Sequence, residues 1–128
     1  MSPATHAAIG LSVIMVNLVV GIWAVAASRR SPKPSGALRV AVLIAFALLV
    51  LQVLVGVDLW IGGGRPAPSS LLSSYVHVLG PVLALLGAVY HIFVSSRNPV
   101  RNYAVATLLT VALGLISYAI GEMGPRLM

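Results

Sequence analysis

The chain has 128 residues, of which 59% are hydrophobic and 8% charged, where an average soluble domain carries roughly 25% charged residues. So little polar side chain cannot cover a water-facing surface, and a mean hydropathy of +1.04 puts lipid on the outside, which excludes a soluble globular protein. The net charge is +6 and there is no cysteine, so disulfides, thiolate metal sites, iron–sulfur clusters and cysteine nucleophiles are excluded as well.

A membrane helix needs about 20 apolar residues. The first span covers about 7–27 and ends at Ser28-Arg29-Arg30. Residues 1–10 hold no Lys or Arg, so the first span reads as a retained span and not as a signal peptide. His6 stands at its start. At 100° per residue, Gly10, Asn17, Gly21 and Ala24 fall within about 60° of His6. A Pro-, Ser- and Gly-rich loop follows, then a second span over about 38–61 that contains Gln52 and ends beside Asp58 and Trp60. A Gly- and Pro-rich connection leads to the third span, about 72–94, with His77 near its start. Gly80, Ala84, Gly87, Ala88 and His91 lie within about 80° of His77. Pro81 opposes the carbonyl four residues earlier, that of His77, and reads first as an ordinary membrane-helix proline. The fourth span covers about 102–121. Short connections make neighbours antiparallel. The expected fold is all-α: an integral membrane, up-and-down four-helix bundle forming one domain over 1–128, with membrane lipid around it.

Basic residues orient the bundle. Arg29, Arg30, Lys33, Arg39, Arg97 and Arg101 lie on one side, and only Arg65 and Arg126 on the other. The bias puts both termini on the non-cytoplasmic face, with Asp58 and Glu122 near that face, and the expected setting is a bacterial inner (plasma) membrane. Basic residues placed between apolar spans serve topology, so no nucleic-acid partner is expected.

Ionisable groups inside spans are costly and are read first as functional. His6 and His77 begin two spans that run in the same direction, so they share a depth near the outer face. Each heads a stripe of small residues. Such stripes let helix backbones approach closely, and they would also clear the path of a flat macrocycle. Two neutral imidazoles are a usual axial set for haem iron, and a bundle core is a usual place for it. The expected cofactor is therefore haem b, with His6 and His77 as axial iron ligands and Gly10 and Gly80 beside the macrocycle. Zinc or copper without haem needs three or four ligands. His91 is a secondary candidate. It lies fourteen residues after His77, about 21 Å along the helix, a spacing that resembles the two-ligand helices of the cytochrome b family. Fourteen residues after His6, however, stands Val20, and Met15 points away from the His6 face. His91 is left to Tyr103 or to a partner chain.

The stretch Leu51-Gln52-Val53-Leu54-Val55-Gly56, a Gly-rich loop and then His77 resemble heme A synthase across spans one to three. The resemblance implies a four-helix half in which histidines of two non-adjacent helices flank a haem, with His6 and His77 as the pair and Gln52 and Gly56 on the helix between. The synthase's reactive half carries a glutamate before a ligand histidine and an arginine after it. Ser2-Pro3-Ala4-Thr5 precede His6 here, so the likeness is to a haem-holding half without the hydroxylating machinery.

Two functions follow as expectations. One is a small bis-histidine b-type haem protein that passes electrons near the outer face to a quinone or a redox-complex subunit. The other is a cofactor-free accessory or assembly subunit of a respiratory or photosynthetic complex. Either is an electron carrier or subunit and not a stand-alone catalyst. The orientation is tested by cysteine labelling in intact cells: Ser2→Cys and Ser69→Cys should react with an impermeant reagent and Ser35→Cys should not. Labelling of Ser35→Cys alone reverses the topology.

Overall fold

A computed structural model describes residues 3–62 and 71–123. Arg65, Arg126, Ser2 and Ser69 lie outside these residues, as does the side chain of Glu122. Four long helices make up the fold: α1 (Pro3–Ser28), α2 (Gly36–Ile61), α3 (Leu71–Val89) and α4 (Pro99–Met123). All four are long and apolar enough to cross a membrane, and no strand occurs among the described residues. The protein is an all-α membrane bundle. Helices suit lipid because they satisfy their backbone groups internally.

Local chemistry fixes the helix ends. Ser35 caps α2 by accepting the Leu38 N–H at 3.1 Å, which satisfies one of the free donors of the first turn. At the far end the Gly62 N–H donates to the Asp58 carbonyl at 3.0 Å. Asn98 Oδ1 accepts the Arg101 N–H at 3.1 Å at the start of α4, and Pro99 occupies the first helical position, where no N–H is needed.

The sequence predicts one uninterrupted α-helix over 72–94, and the structure departs from that. Tyr90–Val94 form a π turn, closed by the Ser95 N–H donating to the Tyr90 carbonyl at 2.9 Å. Asn102 Nδ2 takes the Ser95 carbonyl at 2.9 Å, so α4 anchors the end of the widened turn. Ile92 reaches the buried core there, and Phe93 meets Phe46 edge to face at 5.2 Å. The reason lies in this tertiary anchoring, since nothing in the local apolar pattern distinguishes a π turn from an α turn. α3 also runs on through Pro81.

α4 packs closely on both α1 and α3, and α1 packs on α2, whereas α2 and α3 touch more lightly. α1 and α3 stand diagonally opposite, without close backbone approach. Glycines make the α4 seams possible. A Cβ on Gly21 would sit 2.8 Å from Leu108 Cδ2, one on Gly87 2.6 Å from Leu109 Cδ2, and one on Gly114 3.0 Å from Ile14 Cγ1. Most of the small-residue stripe therefore serves helix packing.

The core lies toward the basic end and the middle. Val20, Ala24, Leu38, Val42, Ala45, Val100 and Ala104 form one cluster, and Val13, Leu49, Ala84, Ala88 and Ala106 the next. Arg29, Arg30, Lys33, Arg39, Arg97 and Arg101 are all exposed at that end. Buried Asn17, Thr107 and Thr110 bond back to their own helix, to the carbonyls of Val13, Tyr103 and Ala106 at 2.9, 2.7 and 2.9 Å. Leu38 is fully buried, and Leu54 is 61% exposed on the lipid side. Leu38→Ala should lower stability by about 2–5 kcal/mol through the cavity it leaves. Leu54→Ala should stay within about 0.5 kcal/mol of the parent, both measured by chemical unfolding in micelles.

Candidate functional site

The helix ends opposite the basic loops are held apart around a cavity of about 400 Å³ to which all four helices contribute. Starts of α1 and α3 meet the ends of α2 and α4 here, as an antiparallel bundle requires. The walls are mainly apolar: Val13 and Ile14 of α1, Val53 and Val57 of α2, Val82 and Ala84 of α3. His6, Gln52, His77, Thr110, Ser117 and Tyr118 supply the polar groups.

His6 and His77 come together across the diagonal. Their ring centroids are 6.2 Å apart, with planes at 72°. His77 Nδ1 lies 2.8 Å from the Ser117 carbonyl. A carbonyl can only accept, so Nδ1 carries the proton and Nε2 keeps a lone pair. Metal-binding histidines are commonly oriented in this way, by donating their second ring N–H to a backbone carbonyl. His6 rests against α2: its Nε2 lies 3.3 Å from Gln52 Nε2, and its Cε1 would be 3.5 Å from a Cβ at Gly56. Among the described residues, three polar atoms at this site are buried without a hydrogen-bond partner: His6 Nδ1, Gln52 Oε1 and Ser117 Oγ. Such groups are rare in native structures and mark sites where a ligand, ion or water is expected.

The other residues singled out by sequence fall as follows. Gly10 lines the cavity, and a Cβ there would be 3.1 Å from Gln52 Nε2. Gly80, expected beside a macrocycle, is not among the residues that line the cavity. It is buried against α4, where an added Cβ would collide with Ser117 Oγ and lie 3.3 Å from the Leu113 carbonyl. Its role is to let α3 reach α4, which is the approach that brings His77 to Ser117. His91 belongs to the π turn at the opposite end. Its ring meets Tyr90 at 5.1 Å and 82°, and its Nδ1 is buried with no hydrogen-bond partner, neither Tyr103 nor any other. Met15 is exposed on the lipid side. Asp58 is exposed, and Trp60 lines the cavity mouth.

Sequence reasoning missed the contribution of α4. The Ser117 acceptor is a backbone carbonyl, for which a sequence carries no signal, and Thr110, Gly114 and Tyr118 were not singled out. Among the described residues no three His, Asp or Glu side chains gather as a metal set. The donor set is thus two imidazoles facing an apolar cavity.

Fold and site together define a membrane four-helix bundle with a diagonal histidine pair at one end. No protein-family model, curated protein or solved structure matches the chain.

The packing at the two glycines is open to test. Gly80→Ala should force α3 away from α4 and cost about 1–3 kcal/mol. Gly56→Ala, whose Cβ makes only ordinary contact with His6, should be close to neutral. Chemical unfolding of both variants in micelles checks the contrast.

Proposed function

We propose that this protein is a small membrane-embedded b-type haem protein in which His6 and His77 are the axial ligands and whose task is electron transfer. The observation that carries the reading is the diagonal histidine pair, with His77 held by the Ser117 carbonyl so that its Nε2 lone pair is free. Two metal–nitrogen bonds of about 2 Å and two ring half-widths add to about 6 Å between centroids, compatible with the observed 6.2 Å. The donor set suits the group: two imidazoles fall short of a zinc or copper set but complete the axial positions of a haem iron. The cavity volume lies within the roughly 300–1,000 Å³ of cofactor pockets, and its apolar walls match a largely apolar macrocycle.

A haem bound by two histidines supplies one-electron chemistry with no open coordination position. The chain's own part is to orient and to shield. The Ser117 carbonyl fixes the rotation and tautomer of His77. The walls of α1, α2 and α3 keep water from the ring, and Gly10 leaves the approach past Gln52 clear. The resemblance of the stretch Leu51–Gly56, a Gly-rich loop and then His77 to a haem-holding half of heme A synthase supports the same reading. On the orientation given by the basic end, the site lies near the non-cytoplasmic face of a bacterial inner membrane, within reach of a quinone or a redox-complex subunit.

The alternative, a cofactor-free accessory or assembly subunit, draws on Gly21, Gly80 and Gly87, which lie against α4 and need no cofactor to explain them. Protein purified from haem-replete cells separates the two. A Soret band and a low-spin spectrum are expected, lost or converted in both His6→Ala and His77→Ala and kept in His91→Ala. Folded parent protein with no Soret band rejects the haem reading and leaves the subunit. Loss of haem in His91→Ala alone moves the site to the other end of α3.

A further inference from the structure

His77 and His6 are supported in different ways. His77 meets a backbone carbonyl, which leaves no choice of tautomer. His6 meets a carboxamide, which can offer either its oxygen or its NH₂ group. With the nitrogen of Gln52 toward His6 at 3.3 Å, the amide donates to Nε2 and the ring proton must sit on Nδ1. That arrangement leaves two faults, a buried Nδ1–H with nothing to receive it and a buried Oε1 with nothing to accept. The two ends of a carboxamide fill the same space and are told apart by their hydrogen bonds. Half a turn of the amide exchanges these for an Nδ1 lone pair and an NH₂ group without an acceptor, and only in that arrangement does His6 keep a lone pair for a metal ion.

We infer that Gln52 is the positioning residue of His6: its carboxamide oxygen accepts the Nε2–H and leaves Nδ1 as the free lone pair. On the haem reading, on which the functional consequence rests, Nδ1 of His6 and Nε2 of His77 would hold the iron, and Gln52 would raise the basicity of the His6 ring as an outer partner does. The surroundings are cut to fit this contact. At Gly10 a Cβ would stand 3.1 Å from the Gln52 amide and displace it, whereas at Gly56 a Cβ would stand an ordinary 3.5 Å from His6 Cε1. Gly10 therefore protects the Gln52–His6 bond, and Gly56 only borders the ring. Sequence alone gives Gln52 a place on the helix between the two histidines, and the contact to His6 gives it a task.

The test uses the full chain in micelles with ¹⁵N-labelled histidine. In haem-free parent protein, above the pH range in which imidazole is charged, His6 should be the Nε2–H tautomer and His77 the Nδ1–H tautomer. Gln52→Glu, which keeps an acceptor, should preserve the His6 tautomer. Gln52→Leu should lose it, and Gly10→Ala should weaken it with Gly56→Ala unchanged. In haem-loaded protein, Gln52→Leu should bind haem about 10–100-fold more weakly. Gln52→Glu should keep the low-spin electron paramagnetic resonance signal with a lower midpoint potential. His6 found as Nδ1–H in the parent, or a tautomer indifferent to Gln52→Leu, overturns the inference. Parent protein that takes up no haem defeats the haem reading instead, and the nitrogen spectra still decide the role of Gln52.

Discussion

Close approach of α4 to both α1 and α3 is the constraint on which the rest of the bundle depends. In lipid, apolar side chains gain nothing by leaving one hydrocarbon surface for another, so helices associate through tight packing and hydrogen bonds. Gly21 and Gly114 open the α1–α4 seam, and Gly80 and Gly87 the α3–α4 seam, each at a place where a methyl group would press on the opposing helix. With α4 wedged between α1 and α3, those two helices stand on the diagonal, and α2 is held chiefly by α1. The lighter α2–α3 seam and the diagonal gap together produce the cavity at the histidine end.

Polar groups divide along the same axis. In the middle and toward the basic end, Asn17, Thr107 and Thr110 return their hydrogen bonds to their own helices, so the clusters around Leu38 and Leu49 hold together by apolar packing. At the histidine end the bonds cross between helices, from His77 to α4 and between His6 and α2, and unpartnered polar atoms collect there. An unsatisfied polar group is expensive in hydrocarbon. Among the described residues three such atoms collect around this cavity, and a fourth, His91 Nδ1, lies in the π turn at the other end.

His77 shows how packing and chemistry are linked in this fold. The glycine that sequence reasoning set beside a macrocycle, Gly80, acts one step removed: by letting α3 close on α4 it delivers the His77 ring to the Ser117 carbonyl. The periodicity of the small residues was legible, but the periodicity cannot say which neighbouring helix a stripe will meet. Gly10 and Gly80 look alike on a helical wheel. One borders the cavity through Gln52, and the other is closed by Ser117, because α2 and α4 lie on different sides of the diagonal.

The sequence by itself determined a great deal: a membrane location from composition, four spans from the lengths of the apolar runs, antiparallel order from short connections, and the shared depth of His6 and His77 from their positions in spans running the same way. These follow from properties local to the chain, namely hydrophobicity, helix rise and the placement of charge. Only the tertiary structure decided the centroid distance between the two rings, the backbone acceptor for His77, the contact of Gln52 with His6, the lining from α4 and the π turn in which His91 sits. Each of those depends on which faces of separate helices meet. With lipid outside and apolar side chains on every face, hydrophobic patterning no longer marks the inward face, and the choice falls to a few glycines and to the hydrogen bonds that cross between helices.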